Sequence, residues 1–155
     1  MAKPVRKLDF HSADQAIAEI ETLQAQGYQA HGKWSLTQIC DHLTKTMRGG
    51  MDGFDFRIPW ILRVLVTGPM FRRLLRTRHM PSGIPTFQIV KPITPTQEQP
   101  EVIETCIQTL KECRDFAGPL PTHPAADWMT VEQWRDIMWI HAAHHLGYLT
   151  PQSNG

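Results

Sequence analysis

Residues 130–148 read Thr-Val-Glu-Gln-Trp-Arg-Asp-Ile-Met-Trp-Ile-His-Ala-Ala-His-His-Leu-Gly-Tyr, and this stretch decides the fold. Thr130 followed by Gln133 is a capping box, a helix-start signature. Gly147 and then Pro151 mark the stop, so a helix is predicted over 131–147. Within it Trp134, Met138, His141, His145 and Tyr148 recur at 4-3-4-3 spacing, the inward seam of a helical bundle. Two seam positions that would pack well as Leu or Ile are histidines. Burying an imidazole without a partner costs roughly 1–3 kcal/mol. His141 and His145 differ by about 40° around the helix, so both can reach one metal ion. His144, about 60° from His141, ranks behind them. It lines the rim of the site or packs on a neighbouring helix.

A third ligand has to come from another helix, and His42 is the best candidate. Ser35-Leu36-Thr37-Gln38 is a second capping box, and Ile39, Leu43 and Met47 form an apolar stripe behind it. Gly49-Gly50 reads as the stop, which predicts a helix over 36–48. Trp34 sits where a hydrophobic staple would pair it with Ile39. Gln38 and Thr46 lie one turn to either side of His42 and are candidates for substrate contact. Asp41 points about 100° away and is expected to be solvated; Cys40 lies about 200° from His42, away from the site.

Two more helices follow the same logic. Ser12-Ala13-Asp14-Gln15 caps a helix over 13–26, with Ala16, Ile17, Ile20 and Leu23 inside and Gly27 as stop. Val102, Cys106, Thr109, Leu110 and Cys113 mark a helix over 100–117, halted at Gly118-Pro119. His123 falls in the Pro-rich linker after it. Residues 51–97 read as a long ordered loop with short helices at Pro59–Thr67 and Pro69–Arg76, broken at Gly68-Pro69. The sum is an all-α, single-domain chain over 1–155: a four-helix bundle with a long crossover between its second and third helices.

The chain is 41 % apolar and 20 % charged, an ordinary globular composition. A net charge of +1 gives no general attraction to nucleic acid or acidic membranes. The basic N-terminal residues lack a following apolar stretch, so no secretory signal is expected. Ile58–Phe71 is too short and too broken to span a bilayer; it either covers the core or forms an exposed patch for a homodimer. Cys40, Cys106 and Cys113 form no C-x-x-C pair and are read as buried thiols of a cytoplasmic protein. The run Arg72-Arg73-Leu74-Leu75-Arg76-Thr77-Arg78-His79 lacks interleaved aromatics. It is read as a solvated helix face, or as a lid whose Arg73 and Arg76 hold an anionic substrate tail. Paired catalytic carboxylates, a phosphate-cradling Gly loop and a serine elbow are absent from the sequence.

Gly32-Lys33-Trp34-Ser35-Leu36-Thr37-Gln38-Ile39-Cys40-Asp41-His42-Leu43 resembles the W-S-x-x-x-x-x-x-H-L segment of the DinB/YfiT-like superfamily. His141-Ala142-Ala143-His144-His145-Leu146-Gly147-Tyr148-Leu149 resembles its C-terminal H-x-x-x-H-R-G-Q-hydrophobic motif. The resemblance is to an uncharacterised bacterial branch and covers most of the chain outside 51–97. It implies an up-down-down-up four-helix bundle, with metal ligands falling on His42, His141 and His145. Leu146 and Tyr148 depart from the motif's Arg and Gln, so the roles of those two positions do not carry over.

Three imidazoles leave a divalent transition metal with an open position, the mark of a catalytic site. Zn or Ni is expected first, Fe or Mn next. The expected function is metal-dependent attack by a bound thiolate or hydroxide on a small electrophile. The resemblance implies a transferase that uses a low-molecular-weight thiol, its carboxylate held by Arg73 and Arg76, and a hydrolase is the other form. The alternative is a non-catalytic metal- or small-ligand-binding bundle. His144, Tyr148 and Gln38 are the candidates for proton transfer or substrate orientation. Tyr148 reads also, and more simply, as a core residue at the bundle end. A small-molecule substrate, and neither nucleic acid nor membrane, is the expected partner.

Overall fold

A computed structural model describes residues 3–152. The chain runs α1 (Ala13–Gln26), β1 (Tyr28–Ala30), α2 (Leu36–Asp52), α3 (Trp60–Leu62), a π-helical turn (Arg63–Thr67) and α4 (Gly68–Thr77). A 3-10 turn (Gln88–Val90), α5 (Pro100–Asp115), α6 (Val131–Leu146) and β2 (Leu149–Pro151) follow. The fold is mostly helical. It departs from all-α in one short antiparallel sheet that pairs Tyr28 with Pro151 and Ala30 with Leu149. Three-residue strands carry no readable alternation, so the sequence pattern could not reveal them. They tie the exit of α1 to the exit of α6.

The four long helices share one core. Ile17, Ile20 and Leu23 of α1 meet Ile39, Leu43 and Met47 of α2, Ile103 and Leu110 of α5, and Trp134 and Ile140 of α6. Both expected capping boxes, Ser35/Gln38 and Thr130/Gln133, form in full. At α1 only half of one forms: Ser12 accepts the Gln15 N–H, while Gln15 Oε1 accepts from His11 N–H at 2.6 Å. α6 packs against α1, α2 and α4, and is buried on more than its seam: Ile137, Ala142 and Ala143 are inside as well. No helix among the described residues is long and apolar enough to cross a membrane.

α2 runs past the expected stop to Asp52. Gly49 and Gly50 stand inside the helix, where two aromatic rings occupy the space that a side chain would need. A Cβ on Gly49 would lie 2.1 Å from Phe54, and one on Gly50 would lie 2.3 Å from Trp134 Nε1. The real stop is Gly53, at φ 96°.

The expected break at Gly68-Pro69 is likewise absent, and the helix passes through. Pro69 has no N–H to give, so the chain widens one turn earlier, with the Gly68 N–H reaching back five residues to the Arg63 carbonyl. A Cβ on Gly68 would lie 2.5 Å from that oxygen. The turn leaves Trp60 and Leu65 66 % and 69 % exposed, so the run is divided: 60–66 form an exposed apolar patch, while Phe71 packs against the core.

The long crossover is ordered because α2 lashes it down. Asp41, far from being solvated, accepts the Ile93 N–H at 2.9 Å and the Lys45 ammonium at 2.6 Å. Lys45 also donates to the Lys91 carbonyl, and Gln38 Nε2 to the Ile93 carbonyl at 3.0 Å. Glu98 accepts from the Thr37 N–H and from the Tyr28 and Thr37 hydroxyls.

The Gly50–Trp134 approach yields a stability test. Gly50→Ala gains up to about 1 kcal/mol of helix propensity but drives a methyl into a fully buried indole. A net loss on the order of 1–2 kcal/mol is expected, or about 2–8 °C in Tm for a chain of this size. A thermal melt in which Gly50→Ala matches or exceeds the wild type would show that the indole yields freely.

Candidate metal centre

The two halves of the sequence signal meet in space. α2 supplies His42, whose place is fixed by the Ser35/Gln38 cap and by the buried Ile39–Leu43–Met47 stripe. α6 supplies His141 and His145, one turn apart. His42 Nε2 lies 3.0 Å from His141 Nε2, and His145 Nε2 lies 2.9 Å from the same atom. The ligand atoms of all three fall within 4.8 Å of one another. His42 and His141 are buried and His145 nearly so.

The tautomer of His42 follows from its second partner. Its Nδ1 lies 2.7 Å from the Val90 carbonyl, an acceptor only, so Nδ1 carries the proton and Nε2 presents a lone pair to the cluster. Burial holds all three rings below the ordinary imidazole range. At His141 and His145 the neighbouring histidines add to the effect and the depression is large. Neutral rings leave the cluster frustrated. His141 Nε2 carries either a proton or a lone pair, so it can complete at most one of its two short contacts well. A cation at the centre would satisfy all three nitrogens. Nitrogens bound to tetrahedral zinc at about 2.0–2.1 Å stand roughly 3.3–3.4 Å apart. The two separations from His141, 3.0 and 2.9 Å, fall a few tenths of an ångström short of that, and the third pair lies within 4.8 Å. The donor set therefore fits a transition-metal ion.

The cluster opens on a cavity of about 730 Å³. Trp34 stands beside it as more than a staple, its ring 5.0 Å from His42 and 5.2 Å from His145, stacked on the latter. His144 lines the rim, in edge contact with His145 and Tyr148. Burial lowers its pKa to about 4, partly offset by a hydrogen bond to the Met80 backbone. Tyr148 also borders the cavity, and its hydroxyl donates to Ser82 Oγ at 3.0 Å.

Three expected contributors are elsewhere. Gln38 is committed to the cap through Ser35 N–H and to the crossover through Ile93, and is not in the cavity wall. Arg73 and Arg76 lie on the exposed face of α4 and do not line the cavity either. Elsewhere in that run Arg72 stacks 4.4 Å over Trp128, and Arg78 bonds Asp9, Asp136 and the Phe10 carbonyl. Cys40 is in the core beside Cys106, whose thiol together with burial pushes the Cys40 pKa well up.

Sequence reading missed two participants. Val90 acts through a backbone carbonyl, which no side-chain pattern can betray. His123 lines the cavity between Phe54 and Phe71, at ring distances of 6.0 and 5.3 Å, and burial lowers its pKa to about 4.

Five histidines are thus depressed: His42, His123, His141, His144 and His145. Below about pH 6.5, the ordinary imidazole value, the unfolded chain takes up protons that the folded chain refuses. Stability of chelator-stripped protein should therefore be full above that pH and fall on acidification. The slope reaches about 1.4 kcal/mol per pH unit for each histidine involved. Thermal melts between pH 7.5 and 4.5 check this, and a Tm flat down to pH 5 would contradict the depressed values.

No curated protein and no solved structure matches this chain. One family model, described as a protein of unknown function (DUF1569), matches residues 2–152. The chain belongs to that family.

Proposed function

We propose that the chain is a metal-dependent enzyme of the DinB/YfiT type, a four-helix bundle in up-down-down-up order with an open three-histidine site. The observation that carries this reading is the convergence of three Nε2 atoms from two helices on one point at the head of a cavity. His42, His141 and His145 would hold Zn or Ni, with Fe or Mn as further candidates. The ion would supply an open position at which a water or a low-molecular-weight thiol becomes hydroxide or thiolate. The chain's own side chains do the rest. The Val90 carbonyl keeps the His42 lone pair turned inward. Trp34 shields two of the rings from water, and His144 and Tyr148 border the space in which a small electrophile would sit.

A second reading is a non-catalytic metal- or ligand-binding bundle. It is favoured by one observation: among the described residues the cavity wall contains no Asp or Glu, and the nearest further imidazole, His144, is a weak base at neutral pH. Turnover of a thiol or ester substrate that requires metal and disappears in a triad variant separates the two.

Metal content of untagged protein is the direct test. About one transition-metal ion per chain is expected in the wild type, and none in His42→Ala or His141→Ala at unchanged helical content. Wild-type protein that takes up no zinc, nickel, manganese or iron would remove the proposal.

A further inference from the structure

The cavity behind the histidines has a chemistry of its own. Phe54, Phe56, Phe71 and Phe87 line it with Met70 and Met80, and among the described residues Lys33 is the one permanently charged side chain in its wall. Away from the exposed Lys33, a charged ligand would lose its hydration against aromatic rings and thioethers without a partner. The volume suits a ligand of ordinary small-molecule size. Among the polar side chains of this wall, His123 is the one set between two aromatic rings. His123 Nδ1 accepts the Ala125 N–H at 3.2 Å, so its proton resides on Nε2. That Nε2–H has no hydrogen-bond partner among the described residues, and the ring is flanked by Phe54 and Phe71.

We propose that this cavity binds an uncharged, mainly aromatic or aliphatic small molecule carrying a carbonyl or ether oxygen, and that His123 selects it by donating to that oxygen. A donor left alone in an aromatic wall discriminates well, because a ligand lacking the acceptor leaves it unpaired. The inference rests on the metal-site reading only for what happens to the ligand afterwards. Binding itself needs no ion.

The test is equilibrium dialysis of chelator-stripped protein against three probes of like shape: 2-acetylnaphthalene, 2-ethylnaphthalene and 2-naphthoate. The ketone should bind about 3- to 10-fold tighter than the ethyl compound, the range expected of one hydrogen bond, and the carboxylate should bind weakest. His123→Leu should erase the ketone preference and leave 2-ethylnaphthalene within about 2-fold of wild type. His123→Gln, which retains a donor, should keep part of the preference. The proposal is overturned if naphthoate binds as well as the ketone, if His123→Leu keeps the preference, or if none of the neutral probes binds. A chain that takes up no metal yet shows the preference would sink the metal reading alone. A chain that takes up metal yet binds no neutral probe would sink this inference alone.

Discussion

The hydrogen bond from His42 Nδ1 to the Val90 carbonyl is the constraint around which the rest of the site is arranged. It fixes one tautomer, aims one lone pair, and joins α2 to the far end of the crossover in a single contact. Its neighbours on the helix repeat the idea one turn away on either side. Gln38, Asp41 and Lys45 all reach the backbone between Lys91 and Ile93. A connection this long, with no regular structure over most of its length, would otherwise have to leave its backbone groups to water. Here one exposed-looking helix face satisfies them, and that order gives the cavity its wall.

Three neutral imidazoles are a poor core by the measure of packing alone. Leucines at the same seam positions would bury more apolar surface and leave no nitrogens short of partners. The protein accepts this at one end of α6 while filling the other with Trp134 and Met138. The cost is localised where the helix meets the cavity, which is the pattern expected when buried polar groups serve a ligand rather than the fold. The lowered pKa values belong to the same account, because rings that stay neutral keep their lone pairs available.

Much of this was legible in the sequence, and the failures have definite causes. The helix starts were readable because Ser12, Ser35 and Thr130 cap by local chemistry. The pair on α6 and the partner on α2 were readable because helical periodicity fixes their faces. The end of α2 was not, because Gly49-Gly50 is a stop by local propensity and a packing notch by tertiary demand. Asp41 and Gln38 were misplaced because an angle around a helix says where a side chain points, not what the chain later brings to it. His123 carried no signal at all. A single histidine in a Pro-rich linker gains its meaning from Phe54 and Phe71, which arrive from distant segments.

The short turn Gln88–Val90 belongs to two structures at once. Phe87 and Ile89 stand half-exposed at the mouth of the cavity, and Val90 grips the ring of His42. A guest large enough to push that doorway outward must stretch the bond that steers the imidazole. By reciprocity, whatever immobilises the imidazole stiffens the doorway. Entry and grip are therefore one mechanical degree of freedom, and a bulky guest and a tightly held ion would oppose each other through three residues of backbone.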